Sequence, residues 1–526
     1  MLLDYFTSDP ILVEELSLLL ALAWPTGIAS LARQLVSVAD VAILGRLGTQ
    51  YLAGASIAQI WIVSTQGFIW QALGSTLNTL AAQADGAGEP ALVGLWFQTA
   101  LAVMALLLIP VTILWAVCTR PALLLLGFQD ESATLAAEFC RFFILYLWAS
   151  QTYVLVSNYL NSFSISWPPL FANVIMLGIN VLANVLLVFG TQPFGSTLWS
   201  GIGFPGSPVA SGITQVGVCF LMVLFIRSSP ALYEKRWPGW KLSEAFAWER
   251  MRVFLGQAIP SFISFFLQDG FMQVMSFLAA SMGDAQVAAH NSFLQFLFAL
   301  TCLIYGLTKA TQVRVASLLG KGDVKHAKLV AFFATAACSL VSLTVGMTVL
   351  ASRNVLGYVF SKDPAVVAAA SEIALPCGIS FTLISLFYCS RAILAAQARP
   401  GPITVAFLVG AWGCGVPSGI AIAKLTTLGI AGIWYAMIIG LGTTTLIATI
   451  AVVRSDWEAI SDKASIRAHR AALDEQHNLS EGGDHLVKEN KVEEETNTLN
   501  HALLSEVEAQ DKEGRVPLLF SVNTTS

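Results

Sequence analysis

Apolar runs of about 20 residues, separated by short polar, Gly or Pro stretches, recur along the chain as far as residue 455. Twelve such segments fall at roughly 17–44, 51–76, 92–117, 134–159, 169–190, 207–227, 254–280, 286–308, 327–350, 366–394, 403–423 and 429–453. At a rise of about 1.5 Å per residue, each is long enough to cross a hydrocarbon core of about 30 Å with some tilt. Backbone polar groups in lipid must be satisfied within the segment, so the pattern predicts helices and not strands. The expected fold is an all-α polytopic membrane protein.

The two halves of this pattern repeat. "LNTLAAQADGAGEP" aligns with "TQVRVASLLGKGDV", placing Gly86 and Gly88 over Gly320 and Gly322. "LGTQYLAGAS" lies over "MGDAQVAAHN", with Gly48 over Gly283, and the offset is 234–235 residues in both places. Six spans per copy is an even number, so the copies share one orientation and form parallel repeats. The expected organisation is a short N-terminal segment (1–16), an N-lobe (17–227), a linker (228–253), a C-lobe (254–455) and a tail (456–526). The stretches 227–252 and 309–328 hold six and five basic residues, and this bias predicts that both face the cytoplasm together with both termini.

Composition sharpens the picture at three points. With 56% hydrophobic residues, 12% charged residues and a mean hydropathy of +0.70, the chain lies outside the range of soluble domains. Of 33 acidic residues, 15 lie after residue 455, so the net charge of −5 is mostly a property of the tail and suggests no nucleic-acid partner. The tail, exemplified by "DEQHNLSEGGDHLVKENKVEEETNTLN", is too polar to bury a core and is expected to be largely disordered and cytoplasmic, leaving its sequons at Asn478 and Asn523 unmodified. The eight cysteines are scattered without a C-x-x-C pair and read as small apolar helix residues, with no metal or disulfide framework expected. The N-terminus carries acids where a signal peptide has a basic region, so the first apolar run is read as an uncleaved span.

Two charges stand against this background. Arg33 and Asp40 lie in the first span, in "IASLARQL" and "LVSVADVAILGRLG". A charge at bilayer depth costs several kcal/mol unless it is paired, neutralised or hydrated. Seven residues put the two on one helix face but about 10.5 Å apart along the axis, so direct pairing needs both side chains to reach. Either Arg33 belongs to a buried network that silences Asp40, or Asp40 binds and releases an ion.

The stretches "DVAILGRLGTQYLAGAS", "GSTLNTLAAQADGAGEP", "NVIMLGINVLANVLLVFG" and "ATQVRVASLLGKGD" together resemble the multidrug and toxic compound extrusion (MATE) family, over about residues 15–455 and in the family's order. The resemblance implies a V-shaped architecture of two six-helix lobes around a central cavity that faces alternate sides. It further implies export of organic cations, drugs, metabolites or organic acids in exchange for H⁺ or Na⁺. No cofactor is expected. The implied partners are a small-molecule substrate and the lipid bilayer, and the protein is expected to be a monomer in the plasma membrane or a vacuolar or other organelle membrane. Composition and repeats alone reach only a twelve-span secondary transporter.

The resemblance also assigns candidate residues. Asp40 matches the first-helix acid used for coupling, and Asn180 and Asn184 of span 5 complete an N-lobe pocket with it. Asn173 shares their helix face but lies near the start of the span. In span 7, Gln268 stands where family members often carry a glutamate, and Asp269 follows it as a relocated coupling candidate. In span 10, Tyr388 stands where many members carry an acid, and Glu372 reads as solvated. Residue chemistry, and not the resemblance, names Trp70, Tyr305, Gln34 and His290 as substrate contacts; aromatic faces suit organic cations, and a histidine can relay protons.

Competing functions divide on chemistry. A lipid or oligosaccharide-lipid flippase of the same superfamily needs a strongly cationic cavity, and the spans hold few Arg and Lys. A membrane enzyme needs a nucleophile–base pair or clustered ligands, and no H-E-x-x-H or His–acid cluster is present. A receptor or channel fits poorly with two parallel six-span copies and no filter-like segment.

Overall fold

The computed structural model describes residues 10–195, 198–230, 234–353, 355, 358, 364–426 and 428–481. Two compact units divide the chain, Met1–His469 and Arg470–Ser526; of the second, only the end of the last helix lies among the described residues. In the first half stand α1 (Pro10–Leu47), α2 (Thr49–Gly86), α3 (Pro90–Leu125), α4 (Asp130–Ser162), α5 (Trp167–Phe189) and α6 (Gly206–Ser228). In the second stand α7 (Trp248–Ala280), α8 (Asp284–Gly320), α9 (Val324–Ala351), α10 (Pro364–Ala396), α11 (Gly401–Leu425) and α12 (Gly429–Val453). Among the described residues, eleven helices are long and apolar enough to cross a bilayer. A twelfth, α8, does so as two segments, Ala289–Cys302 and Ile304–Gly320, set 43° apart.

Large apolar side chains cover the outside of this bundle: Leu145, Phe277 and Leu340 are 81%, 76% and 69% exposed. In water such a surface would aggregate, whereas lipid tails cover it without cost. Several helices outrun the expected spans. Helix α1 starts at Pro10, α7 at Trp248, and α8 continues to Gly320, so Lys309, counted above with a cytoplasmic loop, lies inside a helix.

The repeat is visible in the turns. Gly88 and Gly322, equivalent in the two copies, have φ of +83° and +84°, a left-handed conformation that side chains other than Gly rarely adopt. Two residues earlier, Gly86 ends α2 and Gly320 ends α8. A Cβ on Gly86 would sit 1.9 Å from the Ser317 carbonyl oxygen, and one on Gly320 would sit 2.0 Å from that of Gln83. The ends of α2 and α8 therefore cross through backbone contact that only glycine permits.

The linker is strapped to the first half. Arg236 Nε donates to Asp85 Oδ1 at 2.7 Å while its guanidinium lies 4.6 Å from the Phe163 ring centroid. Gln98 donates to the Gly239 carbonyl at 2.7 Å and accepts from the Lys241 backbone N–H at 2.8 Å.

The tail departs from its expectation in part. Residues Trp457–Glu481 form a helix, α13. Trp457, Ser461, Ala464 and Ala468 are buried, and their spacing of four, three and four residues is one helix face. Averaged hydropathy hides this narrow stripe among charges. Ser461 Oγ donates to the Leu319 carbonyl at 2.8 Å, and Arg467 donates to Gln83 Oε1 at 3.1 Å, so the helix touches both halves. Residues 482–526, including Asn523, lie outside the described residues.

Candidate functional site

Asp40 lies in α1, 7% exposed, with both carboxylate oxygens occupied. Asn184 Nδ2 of α5 donates to Oδ1 at 2.8 Å, and Ser211 Oγ of α6 donates to Oδ2 at 2.7 Å. Hydrogen bonds to a charged acceptor are each worth about 1.5–3 kcal/mol and go far to repay the lost hydration. Asn180 sits one turn before Asn184, is fully buried and faces the same carboxylate. Neither polar atom of its amide has a hydrogen-bond partner of normal geometry among the described residues, and the same holds for Asn184 Oδ1 and the nearby Tyr146 hydroxyl. Buried polar atoms left unpaired cost about 1–3 kcal/mol each, so this pocket keeps unused oxygen ligands beside a carboxylate.

Arg33 is not Asp40's partner. It lies on the side of α1 that meets α8, where Ser30 Oγ is 4.0 Å from Cys302 Sγ, and is within electrostatic reach of Tyr305, Tyr153 and Cys302. Helical side chains tilt toward the N-terminus, which carries Arg33 further from Asp40 rather than nearer. Two more cations stand close to Tyr305. Lys309 Nζ donates to Asn158 Oδ1 of α4 at 3.0 Å. Arg391 of α10 donates to Gln268 Oε1 at 2.9 Å, with its guanidinium 3.5 Å from the Phe265 ring centroid. Gln268 Nε2 in turn donates to the Tyr388 hydroxyl at 2.7 Å. Arg33 is exposed and Tyr305 is 39% exposed, while Lys309 and Arg391 are half-buried. Exposed polar groups from α1 and α8 thus face one another and leave a cleft between the halves.

One side of that cleft is tied shut. Glu15 of α1 and Arg314 of α8 form a two-pronged ion pair at 2.6–2.9 Å, and Arg314 also donates to Ser164 Oγ at 3.1 Å. Gln312 donates to Ser75 Oγ and Thr79 Oγ1 of α2 at 3.0 and 2.9 Å. Thr79 Oγ1 and Gln83 Nε2 reach the carbonyls of Ala395 and Ala396 at 3.0 and 2.8 Å. All of these lie toward the turns holding Gly88 and Gly322.

The MatE family model matches the chain twice, over residues 25–186 and 260–421. The chain belongs to the MatE family. The matched stretches have equal length and repeat the offset seen between the glycine turns. The Multidrug and toxin extrusion protein 1 of Oryctolagus cuniculus is 26% identical over 459 residues, which cover 87% of this chain and 78% of that protein. An uncharacterized transporter of Schizosaccharomyces pombe is 26% identical over 477 residues, 88% of this chain and 85% of that one. The crystal structure of the eukaryotic MATE transporter AtDTX14 is 22% identical and superposes with a TM-score of 0.78, covering 87% of this chain and 99% of that one. The chain is thus a MatE-family transporter and a multi-pass membrane protein.

On this MatE scaffold the residues singled out from sequence separate into groups. Asp40, Asn180 and Asn184 come together. Asn173 does not join them; it donates to the Pro169 carbonyl at 2.6 Å and to the Tyr153 hydroxyl. Gln268 faces α10, whereas Asp269, turned by one residue, lies near Gln273 one turn along α7. Tyr305 lines the cleft. His290 does not: it is fully buried, within reach of Ser276 Oγ at 3.2 Å, with its ring 5.5 Å from Trp434. Trp434 of α12 packs against its ring, which keeps it from the substrate contact expected of it. Trp70 is buried and donates to Gln66, a helix-packing role within the first half. Gln34 is exposed and has no hydrogen bond among the described residues. Sequence reading missed Ser211 and Tyr146. The signal for Ser211 was present: Ser207, Ser211 and Thr214 in "GSPVASGITQV" recur on one helix face.

Proposed function

We propose that the protein is a secondary antiporter that exports small organic molecules by alternating access, with Asp40 as the coupling carboxylate. The observation that carries this reading is the pocket itself: a buried carboxylate held by two donors, with unpaired amide groups beside it. As a carboxylate, Asp40 accepts from both Asn184 and Ser211. When a proton arrives at Oδ2, the acid must donate there, and Ser211 can reverse because a hydroxyl both donates and accepts. The Asn184 bond to Oδ1 survives the change. For Na⁺, the carboxylate, the Ser211 hydroxyl and the amide oxygens of Asn180 and Asn184 supply the oxygen donors that hard cations prefer.

Helix α1 is 38 residues long and carries Asp40 near one end and Glu15 near the other. A change in how α5 and α6 hold Asp40 therefore acts, through one continuous helix with Pro25 in its middle, on the tie between the halves. With the orientation expected from the basic loops, the tied side is cytoplasmic and the cleft opens outward. Relatives named for multidrug and toxin extrusion support drugs or toxins as the cargo. The proposed setting is a monomer in the plasma membrane or an organelle membrane, with both termini cytoplasmic.

Purified Asp40→Asn tests the coupling in liposomes with the membrane potential held at zero and a tenfold gradient of H⁺ or Na⁺ imposed separately. Wild-type protein should accumulate substrate up to about tenfold for one ion exchanged, since 1.4 kcal/mol is a factor of ten. The variant should insert and bind substrate but settle at a ratio near one. Wild-type accumulation by the variant refutes the role of Asp40.

A further inference from the structure

We infer that the cleft is an anion site, built by Arg33, Lys309 and Arg391 around the Tyr305 hydroxyl, and that the transported molecule carries a carboxylate or phosphate group. This inference rests on the transporter reading and specifies its substrate class.

The three cations come from α1, α8 and α10; among the described residues Lys309 and Arg391 hydrogen-bond to the neutral Asn158 and Gln268, and Arg33 has the neutral Tyr305, Tyr153 and Cys302 around it. Among the described residues no carboxylate forms an ion pair with any of them. Helices α1 and α8 pack tightly here, with Ser30 Oγ 4.0 Å from Cys302 Sγ, which sets Arg33 beside Tyr305 and Lys309 one turn further on; Arg391 lies within electrostatic reach of both Tyr305 and Lys309, so the three form one cluster. Of the acids in the spans, Asp40 is held by Asn184 and Ser211, and Asp269, one residue round the helix from Gln268, lies within electrostatic reach of Tyr388 but pairs with none of the three cations. Arginine keeps its charge at any physiological pH. Like charges gathered at bilayer depth repel one another, a cost that a visiting anion removes.

An organic cation entering this place would meet repulsion on three sides. An acidic group would meet two guanidinium forks, an ammonium and the hydroxyls of Tyr305 and Tyr388, a donor set suited to planar or tetrahedral oxyanions. Phe265, beneath Arg391, offers an apolar platform for the body of the molecule. Walls of low dielectric with one sign of charge also concentrate the matching ligand.

The test uses purified full-length wild-type protein in detergent, without gradients, and reads binding by calorimetry at two salt concentrations. The probes are benzoate, phenyl phosphate and citrate, against tetraethylammonium and N-methylpyridinium. The expected result is binding of at least one anion, weakened by salt, with neither cation bound. Arg33→Gln, Lys309→Gln and Arg391→Gln should each weaken the bound anion by tenfold or more, and Arg391→Lys should restore part of the loss and guard against misfolding of the Gln variant. Binding of a cation probe alone, no binding of any anion, or anion binding unchanged in all three variants overturns the inference. Flipping of a fluorescent anionic lipid in liposomes without binding of the soluble anions also overturns it, in favour of a lipid cargo. Asp40→Asn separates the two readings: if it binds the anion and still accumulates it like wild type, the coupling reading fails while the anion site stands.

Discussion

The Glu15–Arg314 pair offers a quantitative handle on the tied state. The two side chains are 9% and 12% exposed, and the pair joins the first half to the second. Glu15→Gln leaves Arg314 with Ser164 and a neutral amide. Removing one partner of a buried pair costs about 3–5 kcal/mol because the remaining charge is left uncompensated. A state favoured by about 100 to 1 is favoured by only about 2.7 kcal/mol. Losing about 3 kcal/mol from the tied state alone would therefore bring the two states to near parity or beyond. The remaining ties through Gln312, Gln83 and the two glycines keep the tied state populated rather than abolished. Spin labels on cysteines introduced at Ala87 and Lys321, at the crossing ends of α2 and α8, should report a second, longer distance in Glu15→Gln. The exchanged pair, Glu15→Arg with Arg314→Glu, should return the distribution toward wild type. The exposed Arg120–Asp130 pair serves as control, and Arg120→Gln should change nothing, since surface pairs contribute about 0–1 kcal/mol. An unchanged distance distribution in Glu15→Gln would refute the reasoning.

Three further outcomes follow from packing. Gly320→Ala places a methyl group against a backbone carbonyl, so the same labels should show the short distance lost, and a retained short distance would mean the backbones yield. Truncation after Glu481 should leave thermal stability unchanged, whereas truncation after Ser455 removes Trp457, Ser461 and Arg467 and should lower the midpoint by several degrees; equal midpoints would show that α13 adds nothing. His290→Ala empties a buried volume beside Trp434 and should destabilise by about 2–4 kcal/mol in denaturant unfolding, with substrate affinity unchanged. A large loss of affinity at full stability would return His290 to the binding site.

Hydropathy located the helices because bilayer thickness imposes a length that averaging detects. The same averaging misplaced their ends. Lys309 was counted as a loop cation, since a charge normally marks where lipid stops, yet α8 runs eleven residues beyond it and holds it over the cleft. That error concealed the cationic cluster. Counting Arg and Lys in the spans argued against a cationic cavity, but three side chains suffice when they converge, and convergence is tertiary information. Asp40, Asn180 and Asn184 were legible from the resemblance and a shared helix face. Ser211 required knowing that α6 packs beside α1. Arg33 and Asp40 shared a face in the sequence but turned to different neighbours, because spacing gives direction along one helix and says nothing of what stands opposite. In α13 the buried stripe is four residues wide against many charges, too thin to register in a composition that otherwise describes the tail well.

The reciprocal seating of Gly86 on Ser317 and Gly320 on Gln83 has a consequence for leakage. The two contacts are copies of one another and lie on the same pair of helix ends, so parting α2 from α8 breaks both in a single movement. A gate made of one such contact could stand ajar, letting ions slip through without cargo. A duplicated one resists half-opening, since either contact left intact draws the other back into register. In the proposed alternating-access cycle the repeat thereby supplies two lobes and also a lock with two identical bolts, thrown and withdrawn together.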